Sequence, residues 1–152
     1  MTMASNAFGI QIDSASVARG VSRLFLRNQI MVQPEVSLRN NRRADLMGIN
    51  AKGEIIIVEI KVSRADLLGD QKWPEYRDWC DRLFFAISTE MAPEIMPGEA
   101  GLIVADSWGA DILRQAQAAN LHASRRKAVT LAFARAAALR LHGLYDPMAD
   151  SL

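Results

Sequence analysis

Between residues 14 and 28 the apolar positions Val17, Val21, Leu24 and Phe25 recur at helical spacing, and Asp13 with Ser14 supplies a cap, so the pattern predicts a helix. From Ile30 to Leu38 the pattern turns to alternation. Val32, Val36 and Leu38 fall on one side and Gln33, Glu35 and Ser37 on the other, while Pro34, lacking an amide hydrogen, assigns this strand to a sheet edge. Asn40 and Asn41 make a hairpin turn into a second strand, about 43 to 49, and Asn50 to Gly53 turn the chain into a third, 54 to 61. That third strand is apolar on both faces through Ile55, Ile56, Ile57 and Val58, the mark of a central strand covered on both sides.

Helix resumes near Arg64, and Pro74 kinks it or starts a new segment. LFFAIS at 83 to 88 reads as a short buried strand, GLIVAD at 101 to 106 as another beyond a proline-bearing loop, and ADILRQA as one more. The stretch 121 to 142, rich in alanine, leucine and arginine, predicts a single helix. No internal repeat or low-complexity tract interrupts this order. At 152 residues, half of them hydrophobic, the chain fits one domain, 1–152, with its core in about 14–142 and short flexible ends.

The third strand ends in Glu59, Ile60 and Lys61. Side chains alternate along a strand, so Glu59 and Lys61 share one face while Val58, Ile60 and Val62 share the other. Asp45 lies on the preceding strand of the hairpin, where its carboxylate can approach that of Glu59. Two carboxylates close together in a partly buried site repel, and a divalent cation removes the penalty. Oxygen donors of this kind suit magnesium or manganese. The plainer alternative is a surface pair of Glu59 and Lys61 with Asp45 capping the hairpin, since an acid, any residue and a lysine arise by chance in many chains. Position favours the site: the pair closes an aliphatic run between an acid-bearing hairpin and a helix.

A net charge of +1 conceals an uneven distribution. Residues 1 to 43 carry Arg19, Arg23, Arg27, Arg39, Arg42 and Arg43 against Asp13 and Glu35, and 121 to 142 carry Arg125, Arg126, Lys127, Arg135 and Arg140 with no acid. If the two basic ends meet, they form a positive surface beside an acidic centre, suited to a polyanion held over a metal; otherwise they are ordinary solvated helix faces. Cys80, the single cysteine, excludes an internal disulfide and reads as a small buried hydrophobe. No CxxC or His pair at ligand spacing suggests zinc. No apolar run reaches the length of a membrane span and the first residues lack the order of a secretory signal, so a soluble, cytoplasmic protein is expected.

The order helix, three-stranded meander, helix, strand, with Asp45 on the second strand and Glu59-Ile60-Lys61 on the third, resembles the PD-(D/E)xK nuclease superfamily. More closely, RRADLMGINAKGEIIIVEIKVSRADLLGDQKWPEYRDWCDRLFFAIS with EAGLIVAD and RRKAVTLAFARAAALRL resembles the MmcB family of DNA-repair endonucleases, over about residues 14 to 142. The resemblance implies an α/β, restriction-endonuclease-like core, a central mixed sheet in αβββαβ order flanked by helices. It implies a magnesium- or manganese-dependent endonuclease acting on DNA, with Asp45 and Glu59 as metal ligands and catalytic residues and Lys61 stabilising charge on the phosphate or orienting the attacking water. The backbone carbonyl of Ile60 is a further ligand in this reading. Two departures stand out: Ala44 occupies a position where proline often precedes the first acid, and the first helix has no glutamate for the metal, a role for which Glu35 is the substitute.

Gln71 with Tyr76 resembles, at one residue longer spacing, a glutamine-and-tyrosine motif of some nucleases of this superfamily. In the functional reading Gln71 touches a metal-bound water, Lys72 a phosphate, and Trp73 or Tyr76 a base. In the plainer one Trp73, Tyr76 and Trp79, three apart, are core. Arg42, Arg43, Arg125, Arg126 and Lys127 are the candidate phosphate contacts, the last three being otherwise a solvated helix turn. A DNA-repair nuclease, a non-catalytic DNA-binding or partner-docking module that keeps the nuclease fold, and a plain structural protein all remain open. Oligomeric state and any repair-protein partner are not legible.

Overall fold

A computed structural model describes residues 12–70, 72–93 and 96–148. Helix α1, Ser14–Arg27, starts where Asp13 accepts a hydrogen bond from the Ser16 amide at 2.8 Å, and it buries Val17, Val21 and Phe25. Strands β1 (Met31–Ser37), β2 (Arg43–Ile49) and β3 (Ile55–Lys61) form an antiparallel meander. Helix α2, Arg64–Gly69, and a 3-10 helix, Trp73–Trp79, then cross to β4 (Arg82–Ser88), which runs parallel to β3. Strand β5 (Gly101–Ala105) is parallel to β4, β6 (Ala110–Arg114) returns antiparallel, and α3, Ala123–Tyr145, completes the described elements. The result is a six-stranded mixed sheet in the order 1-2-3-4-5-6, flanked by helices.

Two apolar clusters sandwich the sheet. On the α1 face Val17, Val21 and Phe25 meet Leu46, Ile56, Val58, Phe84 and Ile103. On the opposite face Ile55, Ile57, Phe85 and Ile87 meet Tyr76 of the 3-10 helix and Val129 of α3. Strands β3 and β4 are covered on both sides, which is why their residues read as unbroken apolar runs.

One expectation is resolved and two change. Pro74 starts a new segment, and that segment is a 3-10 helix, in which a spacing of three returns to the same side. Trp73, Tyr76 and Trp79 therefore share one face, with Tyr76 in the core and both tryptophans packed against it. The alternation read along β1 also breaks: Val32 packs on the α1 side, whereas Val36 and Leu38 pack on the other. The switch occurs at Glu35, whose φ of 52° places a non-glycine residue in the left-handed region inside a strand. Finally, α1 and α3 cover opposite faces of the sheet, so their arginines do not merge into one positive surface, and the two basic segments meet only through the first hairpin, where Arg39 lines a pocket with Arg135 of α3.

Candidate active site

The ladder between β2 and β3 stops at the pair Leu46–Val58, although β3 continues to pair with β4 as far as Lys61–Ile87. One residue beyond the last rung stand Asp45 and Glu59. Their side chains replace the missing rungs: Asp45 Oδ2 accepts from the Ile60 amide at 2.8 Å, and Glu59 Oε1 accepts from the Asp45 amide at 3.4 Å. The pairing of β1 with β2 skips the same level, running from Pro34–Leu46 to Val36–Ala44 around Glu35. Where β2 leaves β3 a cleft of about 920 Å³ opens, lined by Asp45, Glu59, Ile60, Lys61 and the start of α1 at Ser14, Ala15 and Ala18.

Glu59 is 4 % exposed. Burial, then the neighbouring Asp45 carboxylate, push its pKa up to about 9, with Lys61 pulling weakly the other way. At neutral pH the side chain is thus protonated unless a cation joins it. Lys61, 9 % exposed, places its ammonium 2.6 Å from Asp70 Oδ2 at the end of α2. Burial alone would raise Asp70, but the Lys61 ammonium and two amides at Lys72 and Trp73 hold it below the usual carboxylate range. Asp70 is the site residue that sequence reasoning passed over; it lies nine positions after Lys61, a separation that marks no shared face in any regular element.

The cleft gathers five carboxylates, from Glu35, Asp45, Glu59, Asp66 and Asp70, against the cations Arg42, Lys61 and Lys72. Such a lining attracts a hard divalent cation and repels a bare phosphodiester. Two interlocked carboxylates and a main-chain carbonyl fit magnesium or manganese, ions that keep several waters. The set is minimal: among the described residues no group of three or more His, Cys, Asp and Glu side chains is disposed around one point. Glu35 lines the cleft, but its carboxylate turns to Arg43, 3.7 Å away, rather than to Asp45.

The candidate DNA contacts scatter. Arg42 is at the cleft but paired with Glu75 at 2.5 Å, Arg43 is exposed beside Glu35, and Lys72 is exposed on the cleft wall. Gln71 lies outside the described residues. Trp73 sets its ring nearly perpendicular to Phe85, 5.3 Å between centroids, with the Arg77 guanidinium over it, so packing engages the ring that the functional reading offers to a base. Tyr76 is buried and donates its hydroxyl to the Arg43 carbonyl at 3.0 Å. Arg125 lies over Trp79, and Arg126 makes a two-pronged pair with Asp81 at 2.6 and 2.7 Å. Asp81 also accepts from the amide of Ile55, the first residue of β3, so this cluster sits roughly 13 Å along the strand from Glu59. Of the three, Lys127 alone is an exposed cation free of such a pair among the described residues. Burial pushes the Cys80 thiol up to about 12, consistent with an inert packing residue. No described helix is long and apolar enough to cross a membrane.

Residues 5–148 match the protein family described as DNA repair protein MmcB-like. Among solved structures, the chain is similar to the SPO1766 protein of unknown function from Silicibacter pomeroyi, with 41 % identity and a TM-score of 0.86 over 89 % of this chain and 92 % of that one. Among curated proteins none matches.

Proposed function

The chain belongs to the MmcB-like family of DNA repair proteins, and from that premise we propose that it is a metal-dependent phosphodiesterase cutting DNA, its strands arranged as a restriction-endonuclease-like, PD-(D/E)xK core. The observation that carries this reading is the reciprocal hold of Asp45 and Glu59 at the point where β2 and β3 part, with Lys61 on the same face of the same cleft.

Asp45 and Glu59 would hold a divalent cation through their carboxylate oxygens, with the Ile60 carbonyl as a third donor from the chain. What bound magnesium or manganese supplies is Lewis acidity toward a phosphodiester oxygen and a lowered pKa for water. The Lys61 ammonium offsets negative charge that builds on the phosphoryl group during displacement. Asp70 holds that ammonium in place through its 2.6 Å contact on the cleft wall. To bind a cation Glu59 would have to be ionised, which would couple metal affinity to pH.

The test is a calorimetric titration of magnesium and manganese into wild type, Asp45→Asn and Glu59→Gln, followed by incubation of each with labelled DNA structures. Binding and cleavage lost together in both variants support the nuclease. A second reading, a DNA-binding or partner-docking module without cleavage, draws on the Glu35 carboxylate facing Arg43 instead of the acidic pair. It predicts salt-dependent DNA affinity with no metal-dependent nicking at any protein concentration.

A further inference from the structure

Trp108 is 73 % exposed at the turn between β5 and β6. The turn is rigid rather than trailing, because Asp106 Oδ1 accepts the amides of Trp108 at 2.8 Å and Gly109 at 3.1 Å. It also sits directly on α1 at Gly20, where a methyl group would come within 2.0 Å of the Asp106 carbonyl oxygen and 2.5 Å of that of Gly109. Two arginines of α1 lie against the indole, the guanidinium carbons of Arg19 and Arg23 at 5.9 and 5.7 Å from the ring centroid. Arg23 further donates to the Trp108 carbonyl at 3.2 Å. A large ring is thus held in water by a fixed turn and two cations, an arrangement that apolar burial does not explain.

The arginines continue toward the cleft. Ala15, Arg19, Arg23 and Arg27 follow one another at intervals of four along α1, and Ala15 lines the cleft that holds Asp45 and Glu59. From Ala15 to Arg23 the rise is about 12 Å. Arg19, Arg23 and Arg27 have no carboxylate within salt-bridge distance among the described residues. The acids beside the turn are Asp106, engaged by two amides, and Asp111.

We propose that this stripe is a docking track for single-stranded DNA, with phosphates on Arg19, Arg23 and Arg27 and an unpaired base stacked on Trp108. The assignment of DNA as the strand that enters the cleft rests on the nuclease reading; the track itself rests on Trp108 and the arginines. A single strand offers both chemistries at once, a backbone of anions and π faces that are open. A duplex offers the anions but keeps its bases stacked on one another, so Trp108 discriminates for unpaired nucleotides next to the site of cutting.

The experiment is fluorescence anisotropy of a labelled oligothymidylate and of a blunt duplex of equal length, in EDTA, across a series of salt concentrations. For Trp108→Ala the single strand is expected to bind about tenfold more weakly, with Trp108→Phe close to wild type and the duplex affinity unchanged. Arg19→Gln, Arg23→Gln and Arg27→Gln are each expected to reduce the slope of log affinity against log salt by about 0.7 for the single strand. Wild-type affinity in Trp108→Ala, equal losses for single strand and duplex, or no binding of the single strand by wild type at low salt overturns the track. Manganese calorimetry on the same proteins separates the two readings: metal binding absent from wild type, with Trp108-dependent strand binding intact, removes the nuclease and leaves the track.

Discussion

Arg140 of α3 donates to the main-chain carbonyl of Glu35 at 2.9 Å, and Glu35 is the strand residue held at a φ of 52°. The same guanidinium reaches Gln33 Oε1 at 3.0 Å and the Pro34 carbonyl, while Gln33 donates to the Phe133 carbonyl at 2.8 Å. A left-handed residue other than glycine costs about 1–2 kcal/mol, and it persists where surrounding bonds over-determine it. Glu35→Gly is therefore expected to stabilise the protein by about 1 kcal/mol and Arg140→Ala to destabilise it by a similar amount, read from urea midpoints. A loss of stability in Glu35→Gly contradicts the strain.

Glu59 makes the stability of the metal-free protein depend on pH. Its folded pKa of about 9 lies above the ordinary value of 4.5, so the folded state holds a proton that the unfolded chain releases. Stability from this group is complete below about pH 4.5 and declines as pH rises through about 9. Melting curves of wild type are expected to fall over that window, and those of Glu59→Gln to stay flatter and to lie above wild type near pH 8. Parallel pH profiles for the two proteins count against the buried, protonated carboxyl.

The pair of Lys61 and Asp70 is nearly enclosed, with side chains 11 % and 15 % exposed. Removing one partner leaves the other charged and poorly solvated. Asp70→Asn and Lys61→Met are each expected to cost about 1–3 kcal/mol, and the double variant less than the sum of both. A strictly additive cycle in denaturant would show that the contact carries no coupling.

Arg126 and Lys127 are adjacent in sequence and expected to behave differently. Asp81, pulled below the usual carboxylate range by Arg126 and the Ile55 amide despite its burial, anchors the start of β3. Arg126→Ala is expected to lower stability by about 2–4 kcal/mol without changing the salt dependence of DNA binding. Lys127→Ala is expected to leave stability within about 0.5 kcal/mol. Equal stability of the two variants rejects the structural assignment of Arg126.

The strands and α1 were legible because each buries a regular pattern: Ile55 to Val58 cannot be anything but covered on both faces, and Val17, Val21 and Phe25 mark one stripe. The approach of Asp45 to Glu59 was legible for the same reason, since hairpin pairing converts sequence into distance. What stayed hidden depends on contacts between remote segments. The three-residue spacing of Trp73, Tyr76 and Trp79 fits an α-helix or a 3-10 helix, and packing on β4 selects the tighter one. The face switch at Glu35 needs Arg140, more than a hundred positions away. The positions of Arg125 to Lys127 follow from where α3 crosses the sheet, and Trp108 gains meaning only from the α1 arginines above it.

Asp45 and Glu59 stand where a strand pair would ordinarily zip itself with amides, and their carboxylates serve as the last two teeth. Any ligand that takes those oxygens competes with the backbone for them, so occupancy and local unzipping share one set of lone pairs. The Ile60 amide proton is the reporter of that competition: its exchange with deuterium would track, residue by residue and without any substrate, how far the two strands have been drawn apart.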